Sequence, residues 1–184
     1  MYFRFNYRLL TILLLSTMAI NDANSTPGDE MLRELFQYEI NNRAFARKTI
    51  PHIADTMKGS EEEAFWMAFS RLEKLSEPLY EEMARKHDLE INTLLVNLKT
   101  WSLNLAMRVA PNKTMKMMSD ATEKYVEKLK LLPGLANPED RAFFEYVLAQ
   151  EQAQLLGVQL RNQGKYDEAA KVIDSFVDSF NGLP

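Results

Sequence analysis

The sequence predicts an all-α fold in a single domain. Its 184 residues are 46% hydrophobic and 26% charged, a balance that supports one globular core. Apolar side chains recur at three- and four-residue steps along most of the chain, which is the period of an amphipathic helix. Only 6 Gly and 7 Pro interrupt these stretches, and no run of alternating apolar and polar residues indicates a strand.

Residues 1–25 have the three-part layout of a secretory signal peptide. Two arginines precede an apolar run over 9–20, and small residues lie at the usual recognition positions just before Thr26. This run is about a dozen residues long, whereas roughly 20 are needed to span a bilayer. The sequence therefore predicts cleavage before Thr26 and a periplasmic or secreted mature protein, 26–184, with no permanent membrane span. An uncleaved N-terminal anchor is the alternative.

Six helices are predicted in the mature chain. Asp29 is expected to cap the first, and Ser60 with Glu63 forms a capping-box pattern that opens the second. Pro51 and Pro78 fall inside these two helices and are expected to bend, kink or interrupt them. The predicted ranges are 29–57, 60–87, 91–109, 114–132, 138–163 and 166–180.

The helix over 91–109 connects the two halves of the chain. A stripe of apolar side chains predicts it, and Ala110-Pro111 ends it. The stripe comprises Ile91, Leu94, Leu95, Leu98, Trp101, Leu105 and Val109.

An internal repeat relates the helix that starts near Ser60 to the one that starts near Pro138. Each begins with an acidic residue, continues to a pair of aromatic residues and reaches a Glu two turns later. Because seven residues make two helical turns, that Glu and the second aromatic residue share one face. The aligned pairs are Glu61 with Glu139, Ala64 with Ala142, Phe65 with Phe143, Trp66 with Phe144, and Glu73 with Glu151.

Three segments of the chain resemble the ferritin-like superfamily, especially its small rubrerythrin-like bacterial members, over about residues 30–165. The segments are Tyr38-Glu39 followed by Phe45, Ala64-Phe65-Trp66 leading to Leu72-Glu73, and the stretch from Asn137 through Phe144 to Gln154. The resemblance implies an antiparallel four-helix bundle with a crossover helix, to which this chain adds a C-terminal helix. In such a bundle 29–58 would pair with 60–87, 112–132 would pair with 138–163, and 88–111 would be the crossover.

The same resemblance implies a metal site. Members of the family hold a carboxylate-bridged metal pair with a Glu from each of two helices and a Glu-x-x-His from each of the other two. Carried over position by position, this pattern gives Glu39, Glu73 and Glu151 as metal ligands. Iron or manganese is the cofactor that it implies.

Half of the family's ligand set is missing. Ser76 and Gln154 stand where the two histidines are expected, and Met117 or Met118 stands where the third-helix Glu is expected. A thioether is a poor substitute for a bridging carboxylate around a hard cation. The sequence therefore predicts a non-catalytic or weakly metal-binding protein. A carboxylate-rich iron or manganese oxidase remains an alternative, as does a structural role for three solvated or helix-pairing acids.

Composition excludes several other function classes. The chain has no Cys, which removes disulfides, Cys-based zinc sites and thiolate nucleophiles, and its 2 His cannot build a His-rich metal site. A net charge of −4 provides no broad basic surface, so no nucleic-acid partner is expected.

The C-terminal region suggests a second class of function. Leu156-Gly157, the segment 164–170 and Phe176 resemble one tetratricopeptide unit, in which small residues let two helices pack closely. A helical protein-binding module with a protein partner is therefore the competing interpretation. One unit is fewer than the three or so repeats that a solenoid needs. The sequence leaves the partner and the oligomeric state open.

Overall fold

The computed structural model describes residues 26–180, and the predicted signal peptide over 1–25 lies outside them. All regular structure in this part of the chain is helical, which confirms the predicted all-α fold. None of these helices is long and apolar enough to cross a membrane. The helices are α1 Pro27–Thr56, α2 Glu63–Lys86, α3 Thr93–Val109, α4 Pro111–Leu129, α5 Leu132–Leu135, α6 Arg141–Asn162 and α7 Tyr166–Phe180.

Helix α1 begins with a capping box. Thr26 is the cap, and its hydroxyl accepts a hydrogen bond from the Asp29 N–H at 3.3 Å. The Asp29 carboxylate in turn accepts from the Thr26 N–H at 3.1 Å. The prediction that Asp29 is the cap is therefore wrong by three residues. Pro51 lies inside α1 and does not interrupt it.

The predicted capping box at the start of α2 is wrong. The helix begins at Glu63 with no side-chain cap. Instead, the Ser60 hydroxyl donates to the Met57 carbonyl at 2.6 Å, and the Glu63 carboxylate accepts from the Gly59 N–H at 2.8 Å. Gly59 has φ +77°, a left-handed conformation that glycine adopts without strain. These side chains stabilise the turn between α1 and α2.

Two further helix boundaries differ in detail from the predictions, and one matches. Helix α4 starts at Pro111, because proline fits the first turn of a helix where its missing N–H costs no hydrogen bond. Pro133 and Gly134 form part of the one-turn helix α5, which buries Leu132. Helix α7 occupies the predicted range 166–180.

Some helices pack against the next helix in the sequence, and others pack against helices from distant parts of the chain. Helix α1 packs against α2, α4 packs against α6, and α3 lies against α1 and α4. Helix α7 packs against both α2 and α6. The Phe36 ring meets Phe144 edge-on at a centroid distance of 5.2 Å and Phe143 at 5.4 Å, joining α1 to α6.

Small residues allow α6 and α7 to approach closely. A Cβ added at Gly157 would lie 3.1 Å from the Ile173 side chain and 3.3 Å from the Phe65 ring. Ala169 and Ala170 are buried on the facing side of α7. This hairpin has the close packing that its tetratricopeptide-like sequence predicted.

The apolar stripe that predicted α3 lies on its outer face. Leu94, Leu98 and Trp101 are exposed, whereas the side of α3 that meets the rest of the molecule buries Val96, Thr100 and Leu103. The Asn41 side chain accepts from the Asn92 N–H at 2.8 Å and fixes the start of the connection onto α1.

Candidate functional site: a buried arginine–carboxylate cluster

The three predicted site residues come together in the core. Glu39 on α1, Glu73 on α2 and Glu151 on α6 are 0%, 1% and 3% exposed. A sequence interval of 112 residues separates the first from the last, so their convergence is a property of the fold. All three surround one buried cation, the guanidinium of Arg43.

Arg43 makes an ion pair with each carboxylate. Its Nε lies 3.0 Å from Glu39 Oε1, one turn away on the same helix. Its Nη1 donates to Glu73 Oε1 at 2.6 Å, and its Nη2 donates to Glu151 Oε1. The planar fork of guanidinium donors can engage several acceptors in this way, which a lysine could not reproduce. One side chain thus joins α1, α2 and α6.

Neutral groups complete the hydrogen bonding around the cluster. Gln154 accepts from Arg43 Nη1 at 2.9 Å and donates its own Nε2 to Glu73 Oε1 at 2.7 Å. The hydroxyls of Tyr80 and Tyr125 donate to the two oxygens of Glu39, at 3.1 and 2.6 Å. These contacts add α4 to the helices that the cluster joins, because Tyr125 lies on α4.

Three buried polar atoms at the cluster make no hydrogen bond among the described residues. They are Glu73 Oε2, Gln150 Nε2 and Arg43 Nε, of which the last lies 3.0 Å from Glu39 Oε1 as an ion pair. The other end of the Gln150 amide accepts from Tyr80 at 3.4 Å, so this side chain is anchored by a long hydrogen bond. Such groups are rare in a core because each retains a desolvation cost.

Ser76, Gln154, Met117 and Met118, which stand where the resemblance implies the three missing ligands, lie in different surroundings. Ser76 is buried and donates to the Glu73 carbonyl in the preceding turn at 3.2 Å. Gln154 belongs to the cluster itself. Met117 and Met118 on α4 are only partly buried, and Met118 packs against the apolar core.

Burial controls the protonation of the cluster. It raises the pKa of Glu151 from its ordinary value of 4.5 to about 8, against the opposing effect of Arg43. It also raises the pKa of Glu73, again against Arg43. Burial alone would lower the pKa of Arg43, but the surrounding carboxylates outweigh it and raise that pKa well above its usual range. The guanidinium is therefore charged, and burial favours the protonated form of Glu151 near neutral pH.

The tyrosine hydroxyls are held in their protonated form. Burial, followed by the effect of Glu39, raises the pKa of both Tyr80 and Tyr125 well above the ordinary value of 10. Burial also raises the pKa of Tyr146, to about 12. The Tyr80 and Tyr125 hydroxyls consequently remain hydrogen-bond donors to Glu39 at neutral pH and well above it.

The donor set does not fit the family's metal pair. Among the described residues, no group of three or more His, Cys, Asp or Glu side chains is arranged to hold a metal ion. The carboxylate oxygens that would face a metal face Arg43 instead, and this guanidinium supplies a positive charge at the centre of the cluster. The metal pair that the resemblance implies needs carboxylate and imidazole ligands that project inward together. No imidazole among the described residues hydrogen-bonds to this cluster.

A matched pair of ion pairs flanks the cluster. At the start of α2, Glu62 accepts from Arg161 Nε at 2.9 Å and Nη2 at 2.7 Å, and Arg161 lies at the end of α6. At the start of α6, Asp140 accepts from Lys86 Nζ at 2.6 Å, and Lys86 lies at the end of α2. His87 Nε2 also lies 3.1 Å from Asp140 Oδ2. The beginning of each helix is thus tied to the end of the other, so α2 and α6 run antiparallel.

The spacing of these ion pairs matches the internal repeat. Glu62 and Asp140 are the residues that directly precede α2 and α6, and they are separated by 78 positions. Glu73 and Glu151 have the same separation, and both contact Arg43. The repeat found in the sequence therefore recurs in the contacts of the folded chain.

Sequence reasoning missed four residues of the cluster. They are Arg43, Tyr80, Tyr125 and Gln150. For Arg43 a signal existed: it lies four residues after Glu39 on the face that also carries Phe36 and Ile40, so two opposite charges interrupt a core-facing stripe. The tyrosines carry no such signal, because a Tyr in an apolar stripe is usual in a core.

Comparisons with family models, curated proteins and solved structures gave no match to this chain.

Proposed function

We propose that this chain is an exported, ferritin-like four-helix bundle that is non-catalytic, and in which Arg43 takes the place of the family's metal pair. The observation that carries this proposal is the contact of one buried guanidinium with Glu39, Glu73 and Glu151. These are the residues at which the family resemblance predicts metal ligands. A fixed internal cation offsets part of their mutual repulsion, as a bound metal would.

The helix contacts support the bundle. Helices α1 and α2 form one hairpin, α4 and α6 form another, and α3 provides the long connection between them. The reciprocal ion pairs of Glu62 with Arg161 and of Asp140 with Lys86 support the antiparallel arrangement of α2 and α6. Helix α7 is the additional C-terminal helix.

The chemistry of the cluster supports a structural role. A redox metal pair needs open coordination positions and ligands that can exchange. Here Arg43 and Gln154 hold the inward oxygens of Glu73 and Glu151, and two tyrosines hold both oxygens of Glu39. Glu73 Oε2 is a buried carboxylate oxygen of the cluster with no hydrogen bond among the described residues. An oxygen of this kind supports weak metal binding at most.

The protein-binding alternative has one observation in its favour, the close hairpin of α6 and α7. However, α7 packs against α2 as well as α6, which is the packing of one continuous core. Stacked repeats contact only their sequence neighbours. We therefore assign this hairpin to the bundle.

Elemental analysis tests the proposal. The protein should be purified from the periplasm or medium of its host without added metal and analysed for iron, manganese and zinc. We expect substoichiometric metal and no change in the unfolding midpoint after treatment with a chelator. Near-stoichiometric iron or manganese that is lost in Glu73→Ala or Glu151→Ala would contradict the proposal and favour oxidase or peroxide chemistry. Glu145→Ala is the matched control, because Glu145 lies on α6 but is exposed.

A further inference from the structure

Helix α3 carries apolar side chains on two opposite faces. The inner face buries Val96, Thr100 and Leu103. The outer face lies about half a turn around the helix axis from the inner face. Its residues recur at the spacing that places them in one stripe. Its exposed members are Leu94 at 78%, Leu98 at 41%, Trp101 at 65% and Val109 at 74% exposure, and Ile91, which precedes the helix, is 44% exposed.

This outer face is unusual for a helix on the surface of a folded chain. Surface helices normally place polar residues opposite their buried stripe. Single exposed apolar residues need no explanation, but a contiguous exposed patch that includes a Trp commonly marks an interaction site. Nothing in the described part of the chain covers Trp101 or Leu94.

The two ends of α3 carry opposite charges. Trp101 is the middle residue of α3, with eight residues of the helix on each side. An acidic residue, Glu90, precedes the helix, and a basic residue, Arg108, lies in its last turn, and both are exposed. Arg108 lies seven residues after Trp101, which places it on the same face.

We propose that a second copy of this chain covers the outer face of α3, in an antiparallel pairing with a two-fold axis near Trp101. Such an axis places Trp101 against Trp101 of the second copy and Leu98 beside Leu105 of the second copy. It also brings the start of α3, which Glu90 precedes, near the last turn of α3 in the second copy, which carries Arg108. Each interface then contains two Glu90–Arg108 pairs and two antiparallel helix dipoles.

The small area of the outer face of α3 limits the stability of the dimer. A 17-residue helix is about 25 Å long, and the face adds only a few exposed side chains to that length. Stable dimers bury about 800 Å² on each partner, which α3 alone does not supply. The dimer is therefore weak and depends on concentration.

Other occupants fit the face less well. An anionic membrane surface requires a basic rim, whereas this face has an acidic residue at one end and the whole chain has a net charge of −4. The pairing depends only on the outer face of α3, so it holds whether or not the core cluster binds a metal.

Sedimentation equilibrium of the full chain tests the dimer. The mass of the purified product should first be determined, and the molar mass then followed over a wide concentration range. We expect a monomer–dimer equilibrium in which Leu94→Lys raises the dissociation constant at least about tenfold, since each dimer loses two buried leucines. Leu75→Lys is the matched control, because Leu75 is 55% exposed on α2, and it should leave the dissociation constant unchanged.

Charge reversal tests the antiparallel geometry. Glu90→Lys and Arg108→Glu should each weaken the dimer several-fold, and the double variant should recover most of the loss. Far-UV circular dichroism and the unfolding midpoint verify that every variant is folded. A monomer at all concentrations, a dimer that Leu94→Lys leaves intact, or equal effects of Leu94→Lys and Leu75→Lys would overturn the proposal. Binding of a monomer to anionic vesicles through Trp101 would overturn it as well.

Discussion

Arg43 and Glu151 are 108 residues apart in the sequence and hydrogen-bond to each other in the core. Both side chains are almost fully buried. Burial, with smaller contributions from the carboxylates of Glu39 and Glu73, nevertheless raises the pKa of Glu151 to about 8. One cation is thus shared among three acids.

This shared cation predicts a pH dependence of stability. Because the folded-state pKa of Glu151 lies above its ordinary value, protonated Glu151 stabilises the fold. That contribution is complete below about pH 4.5 and is lost as the pH rises through about 8. We expect Glu151→Gln, which keeps a neutral hydrogen-bonding side chain, to become more stable relative to the parent as the pH rises from 5 to 9.

Urea unfolding at several pH values measures this difference. Glu145→Gln is the control, since Glu145 lies on the exposed side of the same helix. If the unfolding free energies of Glu151→Gln and the parent differ by the same amount at all pH values, Glu151 does not change its protonation in this range.

The ion pair between Glu62 and Arg161 should contribute strongly to stability. Arg161 is 4% exposed and donates two hydrogen bonds to Glu62, which also accepts from the Trp66 indole at 2.9 Å. Removing one partner of a buried pair leaves the other charge uncompensated. We expect Glu62→Ala to lower the unfolding free energy by about 3 kcal/mol. Glu61→Ala, at the exposed neighbouring position, should change it by less than about 0.5 kcal/mol.

Close packing between α6 and α7 predicts that Gly157→Ala is destabilising. The added methyl would meet Ile173 and Phe65 at distances shorter than ordinary contacts. Overpacking costs roughly 1–3 kcal/mol, from which the better helix propensity of Ala recovers up to about 1 kcal/mol. Thermal or urea unfolding should show a net loss of stability in Gly157→Ala. Gly134→Ala is the control, because nothing lies near that position. Equal stability of the two variants would mean that α7 is displaced from the site described.

Cleavage of the signal peptide gives a prediction about the N-terminus. The mass of the product isolated from its native host should correspond to a chain that begins at Thr26. The hydroxyl and N–H of Thr26 make the capping box with Asp29, so cleavage at this point preserves the cap of α1. Retention of residues 1–20 in the isolated product would refute cleavage.

The sequence predicted the helices better than their caps and faces. Helix α7 has its predicted bounds because Gly164, at φ +77°, ends the preceding segment in a conformation that other residues rarely adopt. Ser60 and Glu63 matched a capping box in spacing but stabilise a turn, since spacing alone does not say which N–H a side chain reaches. The stripe on α3 predicted a helix, but periodicity does not show which of two apolar faces lies inward.

The sequence predicted the three acidic residues of the candidate site but missed its basic residue, Arg43. Glu39, Glu73 and Glu151 were identified through the repeat and the family resemblance, both of which are patterns along the chain. The role of Arg43 depends on α1, α2 and α6 being placed together, which no local pattern records. A buried Arg is rare enough that its position in the apolar stripe of α1 was the available clue.

The unfolding free energy of the metal-free Arg43→Leu variant tests the central claim most directly. If Arg43 is the cation of the cluster, the parent keeps its stability after treatment with a chelator, whereas Arg43→Leu loses about 3–5 kcal/mol at pH 7 because buried acids lose their partner. Arg71→Leu, which removes an exposed ion pair with Asp174, should lose no more than about 1 kcal/mol. A loss in Arg43→Leu as small as that in Arg71→Leu, or a parent protein that the chelator destabilises, would contradict the account.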